Sequence, residues 1–534
     1  MKPWLWTVIS FVSLFLLLSL LFARPLELKP ATPVVLQVQA VVAPQRFDKV
    51  YGSHELPPLF SSGRCLGLSA GPALRRCELH FLCWHEGKFV YFNPPESIAR
   101  LEVTDVWGYL QGDILDDNND PLVFADTRGY APFRPFVANE TLASYAKRYG
   151  VLRTSWYSRP LLLHSKHGVT NGGHAIIENV YPIALNLLFF EEPYLKGSGR
   201  SIFDNNIILL EDTFDNGTDC GCFSNTYACG GEPRTAKYFA LCQKFTDTYI
   251  GALSQYPVQY QNQLLQSSDD MQCWDRAYIG TGGVGPFTGP NHRESHGRYH
   301  TLVRDLLYQR FDVVPTTQVQ RLRKLCGHRH LRVVVALKEG RRIVSNLVEV
   351  AEWVQAHSLE HFSLQKIGFS VKFVRWEETD SFKQQLELLS ETDILITSGG
   401  GGSVLSLFLT DNTAVVFGSF CEENSSNLGF VCSVYDNAML HDHQPNYAYF
   451  TYDVLGMNEL RESAFKPFLN LVYQKQRFLP LLDAAAVYVL DRSVPEYLRN
   501  LTTYKLLTLS LPTLLSLLLN RLASAGESLI NPCL

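Results

Sequence analysis

From Leu331 onward, apolar runs of strand length alternate with amphipathic runs of helix length, and nothing else in the chain constrains its fold as tightly. LRVVVALK (331–338) leads into a basic turn, EGRRIVSN (339–346), and then the helical pattern NLVEVAEWVQAH. FSVKFVRW (369–376), SFKQQLELLSET, DILIT (393–397), four consecutive glycines, a short helical run and AVVFGS (414–419) follow. Strands and helices in this order build right-handed βαβ units, hence a parallel doubly wound sheet whose ligands bind outside the carboxyl ends of its strands. Glycine gives up more backbone freedom on folding than any other residue, so four of them at one strand-to-helix corner need a reason. Gly399, Gly400, Gly401 and Gly402, followed by Ser403, suit an anion site, because a ligand can approach the backbone closely and a helix start offers N–H groups and partial positive charge. The same run also suits a tight packing turn. It is neither a Walker A loop, since no lysine follows, nor a dinucleotide fingerprint with an acid on the next strand. Lys338, Arg341 and Arg342 stand at the carboxyl end of the first strand of the unit, where they would border the same crevice. A guanidinium offers phosphate two parallel hydrogen bonds.

At 534 residues the chain is long enough for two or three domains, and 46% hydrophobic with 19% charged residues supports a sizeable core. A net charge of −5, with both signs interspersed, excludes a general nucleic-acid binder. Trp4 to Ala23 is a 20-residue apolar stretch that matches a bilayer and ends in a poor cleavage site, so residues 1–23 read as an uncleaved signal anchor, with a cleaved signal peptide as the alternative. That implies a single-pass type II protein of the Golgi or endoplasmic reticulum membrane with its bulk in the lumen. Sequons at Asn139, Asn216, Asn424 and Asn500 agree with that compartment, and the twelve cysteines read as disulfides in preference to a zinc site at Cys220, Cys222 and Cys229. A proline-rich stem spans 24–62. Two α/β units are expected over 63–325 and 326–485, and a helical extension over 486–534. In that extension the apolar stretch 506–520 is too short and too interrupted by Pro512 for a confident span. CELHFLCWHEGKFVYFN reads as a hairpin about Glu86-Gly87, stapled by Cys77 or Cys83. HAIIENVYPIALNLLFF (174–190) reads as a helix that Pro182 should kink or split. His174 and Glu178 lie one turn apart on it, and Asn171, Gly172 and Gly173 form a second glycine-bearing helix start. The glycine- and histidine-rich run 280–300 reads as a mobile loop over a cleft.

Several of these motifs occur in the order seen in glycosyltransferase family 61. ALKEGRRIVSNLVE (336–349) resembles that family's basic strand end, TSGGGGSVLSLFLTDNTAVVFGS (397–419) its glycine turn and following strand, HAIIENVYPIAL (174–185) its H-x-x-x-D helix start, and CWDRAYIGTGG (273–283) its CFRRAVVGLG stretch, followed by RYHTLVRDLLYQRF (298–311) as the helix before the nucleotide-binding unit. The resemblance runs from about Cys77 to Pro480. Two departures stand out: Ser398 occupies the place of the family histidine in the turn, and Glu178 that of its aspartate. The resemblance implies a GT-B-like α/β architecture, two Rossmann-like doubly wound domains facing a cleft. It further implies inverting, metal-independent transfer of a sugar from a UDP-sugar to a hydroxyl of a glycan or glycoprotein, with no cofactor. Lys338, Arg341, Arg342, Gly399 to Gly402 and Ser403 would then hold the donor diphosphate. Glu178 would be the general base, oriented by His174, and Asn171 and Gly173 would contact acceptor or sugar. The competing expectation is an inactive, glycosyltransferase-like lumenal scaffold, which the two departures favour.

Overall fold

The computed structural model describes residues 48–52, 54–66, 75–93, 102–103, 133–166, 168–169, 171–210, 236–280, 293–315, 330–340, 342–360, 366–379, 381–423, 430–433, 448–464, 467–490 and 500–502. The signal anchor, Arg341, the greater part of the 280–300 loop, Asn216, Asn424 and the 506–520 stretch lie outside these residues. Among the described residues no helix is long and apolar enough to cross a membrane. Phe47–Leu534 clusters as one compact unit.

The first sheet is centred on an antiparallel pair, β1 (Arg76–His85) and β2 (Asp270–Ile279), in register from Gln272↔Trp84 to Ile279↔Cys77. The hairpin read from the sequence is present. β1 pairs with Lys88–Phe92 across Glu86 and Gly87, whose φ values of 47° and 76° give the doubly left-handed turn that two-residue hairpins favour. β1 is stapled on both flanks, through Cys77 to Cys65 and through Cys83 to Cys273, each pair directly cross-strand. A third disulfide joins Cys421 and Cys432. On the other flank of β2, strands Arg153–Tyr157 and Leu161–His164 run parallel to it, and Asn206–Leu209 and Gln259–Tyr260 continue that parallel edge. The expectation of two doubly wound domains is therefore corrected for this half. The sheet is mixed, because a two-residue turn can only return the chain antiparallel.

The second sheet is the doubly wound one. Across the sheet its strands stand in the order Ser358–Glu360, β4 (Lys366–Val374), β3 (His330–Ala336), β5 (Ile394–Ser398), β6 (Ala414–Gly418), β7 (Ala448–Tyr452) and Asn500–Thr502. All neighbours are parallel except Ser358–Glu360 against β4. β3 has β4 on one side and β5 on the other, so the order reverses there and opens a crevice at the carboxyl ends of β3 and β5. The closing strand Asn500–Thr502 falls where the sequence suggested helix alone. A small antiparallel sheet (Phe420–Glu423, Phe430–Ser433, Leu460–Glu462, Phe468–Leu471) was not legible in the sequence.

Six helices matter for the site: α1 (172–195), α2 (Ala236–Phe245), α3 (Arg293–Phe311), α4 (Leu347–Ala356), α5 (Phe382–Ser390) and α6 (Lys475–Leu490). α4 and α6 share a core with one face of the second sheet. The other face shares a single core with α1, α2, α3, α5 and residues Leu162, Ile207, Leu209 and Tyr278 of the first sheet. α1 contributes Ile176, Val180, Ile183, Leu187 and Phe190, at steps of four and three, all at most 1% exposed. Each such burial is worth about 1.5–3 kcal/mol. Pro182 does not split this helix. Residues Ala175–Val180 widen into a π-turn in which the Tyr181 N–H reaches back to the Ile176 carbonyl, and this relieves the clash a proline ring makes with the carbonyl four residues earlier.

Candidate functional site

β5 is buried along its whole length and delivers the chain to the crevice at Gly399. There the Gly399 N–H still donates to the Gly418 carbonyl (3.2 Å), extending the β5–β6 ladder by one residue. Gly400 has φ +115° and ψ −165°, a conformation that only glycine adopts readily, and a Cβ there would sit 2.4 Å from the Lys338 amine. Lys338, two residues beyond β3, donates to the Gly399 carbonyl at 2.7 Å. One lysine thus spans the switch point between β3 and β5. The chain then enters a 3₁₀ helix, Gly401–Phe408, in place of the α-helix expected.

Ser403 is fully buried. Both its N–H (2.9 Å) and its hydroxyl (2.6 Å) donate to the Gly400 carbonyl, so its role is to close the first turn. The amides of Gly399 and Ser403 are thereby committed to the protein itself. At the start of a 3₁₀ helix the first two N–H groups, those of Gly401 and Gly402, have no intrahelical acceptor.

The second glycine-bearing helix start meets the first. Asn171 caps α1 through its side-chain oxygen, which accepts from the Gly173 N–H at 3.0 Å. A Cβ on Gly173 would fall 2.7 Å from the Gly401 Cα, and one on Gly401 would fall 2.2 Å from the Asn171 Oδ1. The motifs at 171–173 and 399–402, more than two hundred residues apart, are in backbone contact. Just beyond, the His174 Nδ1 lies 2.9 Å from the Glu178 Oε2, with Glu178 buried and His174 partly exposed. Asn179 ties this pair to the first sheet: its Nδ2 donates to the His174 carbonyl (2.8 Å), and its Oδ1 lies 3.0 Å from the His164 Nε2 at the end of strand Leu161–His164. Neither His164 nor Asn179 was singled out from the sequence, although a polar side chain closing the apolar run PLLL and another beside Glu178 in AIIENV were usable signals.

Arg342 packs beside the small antiparallel sheet. With φ +60° it starts a segment that pairs with strand Phe468–Leu471: the Ile343 carbonyl accepts from Leu471 N–H and the Ser345 N–H donates to the Leu471 carbonyl, both at 2.8 Å. Its guanidinium lies 5.2 Å from the centre of the Phe468 ring. Residues 343–345 are thus paired with a sheet the sequence did not disclose, and that pairing sets Val344 and Leu471 against Gly418 at the carboxyl end of β6. Of the two described basic residues, Lys338 is the one whose contact with the glycine turn is established. Asn139 is exposed at the joint between strand Phe136–Ala138 and helix Leu142–Tyr149, which Thr141 caps.

The arrangement can hold an acceptor-rich or anionic group between Lys338 and the amides of Gly401 and Gly402, with a carboxylate–imidazole pair one helical turn from the Gly173–Gly401 contact. Residues 286–416 match the family model described as Glycosyltransferase 61. The matched stretch contains α3, β3, β4, β5 and the glycine turn, and ends within β6; α1 with His174 and Glu178 lies before it. No curated protein matches the chain.

Proposed function

We propose, from the match of residues 286–416 to the glycosyltransferase 61 family model, that the protein is an inverting, metal-independent glycosyltransferase. It would move a sugar from a UDP-sugar to a hydroxyl of a glycan or glycoprotein in the secretory pathway. The observation that carries this reading is the contact of the α1 start with the glycine turn at the switch point. It brings a carboxylate-bearing helix beside the strand ends where a doubly wound sheet takes its ligand. In this reading the donor diphosphate lies against Lys338 and the amides of Gly401 and Gly402. The Glu178 carboxylate takes the proton of the acceptor hydroxyl, its oxygen attacks the anomeric carbon from the face opposite the diphosphate, and the bond to the diphosphate breaks with the electron pair leaving on phosphate oxygen. Lys338 and the helix start hold the charge that develops there. His174, hydrogen-bonded to Glu178 and anchored through its own carbonyl by Asn179, orients the base.

The test is transfer by the purified protein from a panel of UDP-sugars. Glu178→Gln is expected to lower kcat by about 10²–10⁴-fold, the usual contribution of a general base, with donor KM little changed. Lys338→Ala is expected to act chiefly on the donor. Activity should persist in excess EDTA. Unchanged turnover in both variants removes the site assignment, and strict metal dependence removes the metal-independent mechanism.

The inactive-scaffold reading also has an observation in its favour: Asn171 and Gly173 close tightly on the glycine turn, and Gly399 and Ser403 direct their amides at the protein. Calorimetric titration separates the two readings, since a scaffold binds no UDP-sugar. The proposed location, a type II protein of the Golgi or endoplasmic reticulum membrane, draws support from the apolar stretch Trp4 to Ala23, the sequons and the disulfides. It is tested by glycosidase-sensitive mobility of the expressed chain and its loss at the exposed site in Asn139→Gln.

A further inference from the structure

Trp376 follows β4 at the carboxyl edge of the second sheet, and its side chain packs against the glycine turn. A Cβ on Gly402 would lie 3.3 Å from the indole Cδ1 and 3.8 Å from Nε1. The residue is 6% exposed, and its Nε1–H has no acceptor among the described protein atoms. An indole nitrogen can only donate, and buried donors left unmatched are rare enough in native proteins that each one calls for a partner. The ring is not free to seek one. The Trp376 carbonyl accepts from the Thr379 hydroxyl (2.7 Å) and from the Gln385 Nε2 (2.9 Å), and Gln385 in turn accepts from the Tyr249 hydroxyl (3.2 Å). The next residue is tied down as well, its carbonyl taking a hydrogen bond from the Lys244 amine (2.7 Å). The backbone that carries the indole is therefore held by α5 and by the helical stretch 236–250, and the indole edge lies against Gly402 where the 3₁₀ helix begins.

We propose that the Trp376 Nε1–H is a donor-binding group that completes, with the amides of Gly401 and Gly402, a three-donor cradle for one phosphate oxygen of a nucleoside diphosphate. This rests on the reading of the crevice as the donor site, and it assigns that site a side chain which no sequence motif marked. Glycine at 402 matters here because a side chain would stand between the indole edge and the bound oxygen.

The experiment is calorimetric titration of the whole protein, without divalent metal, using UDP, inorganic pyrophosphate and uridine. Trp376→Phe keeps an aromatic ring at this position and removes the donor. A hydrogen bond to a charged acceptor predicts UDP and pyrophosphate binding weaker by about 10-fold or more, with uridine unaffected. Equal affinity of wild type and Trp376→Phe for UDP overturns the inference while leaving the donor-site reading intact. An equal loss for uridine assigns the indole to the base and overturns the phosphate cradle. No binding of UDP by the wild type overturns both. An independent readout on the unaltered fold is the indole Hε1 resonance of ¹⁵N-labelled wild type, assigned by its disappearance in the variant. It should move downfield on addition of UDP, and an unmoved resonance counts against the cradle.

Discussion

The four glycines at 399–402 are not interchangeable, and the reason differs at each end of the run. Gly400 is needed for its backbone angle, whereas Gly401 is needed because Asn171 and the Gly173 backbone leave no room for a Cβ, the nearest atom standing at 2.2 Å. Gly402 faces only the edge of Trp376, at 3.3 Å. Gly401→Ala is therefore expected to destabilise by about 1–3 kcal/mol, the usual cost of forcing a group into a filled site, while Gly402→Ala should cost clearly less. Urea unfolding of the two variants checks the ranking, and the reverse order would contradict the Gly173–Gly401 contact. The run itself was plain in the sequence, and so was the glycine-bearing start at 171–173. That the two touch was not, because contacts across so great a separation leave no periodicity behind. Ser403 shows the same limit from the other side: a hydroxyl at a helix start looked available for phosphate, yet it closes the turn on Gly400.

At the scale of elements, α1 carries the proposed base at one end and is docked onto β2 at the other. Glu191, 1% exposed, accepts from the Tyr278 hydroxyl and from Arg276 (3.2 Å), with Arg200 at 3.9 Å. Burial raises its carboxyl above the ordinary value and outweighs the lowering by Tyr278, Arg276 and Arg200, while Glu78 adds to the rise. The folded protein thus holds this proton more tightly than the unfolded chain. The stability contribution is accordingly present in full below the unfolded carboxylate range and declines as pH rises through it toward the folded value. Wild type should lose stability relative to Glu191→Gln as pH is raised from about 4 to 7, read as urea midpoints across that range. A widening gap in favour of wild type would reverse the assignment. α1 was legible as a helix from its apolar stripe. Its response to Pro182 was not, since sequence rules weigh a kink against a break and give no weight to a π-turn that absorbs the ring. The pairing of residues 343–345 was not legible for a different reason, because the partner belongs to a sheet of short strands drawn from distant parts of the chain.

For the molecule as a whole, the second sheet could be read strand by strand because most of its consecutive strands are spatial neighbours, whereas the first sheet could not. β1 and β2 are far apart in sequence yet form its central pair, and a single-sequence reading supplies no signal for such pairing. The same distant contacts fuse the two halves. One apolar core runs from Leu162 and Tyr278 of the first sheet through α1 and α3 to Leu395 and Phe417 of the second. Polar contacts reinforce the seam. Arg304 of α3, 8% exposed, donates to the Leu409 carbonyl at 3.0 Å and to Asp411 at 2.7 Å, and Tyr249 reaches Gln385 at 3.2 Å. Independently folding domains have separate cores, each able to melt alone. A shared core makes each half expose apolar surface when the other unfolds, which couples the two transitions. Calorimetry of residues 47–534 with disulfides intact should accordingly show one endotherm whose van't Hoff and calorimetric enthalpies agree. Arg304→Ala leaves two carbonyl and carboxylate partners at the seam without their buried cation, so it should lower Tm while preserving the single transition. Two resolved endotherms in the wild type would mean that the halves are thermodynamically separate. In that case the contact between Gly173 and Gly401 would be one position of a closing cleft and not a fixed feature of the core.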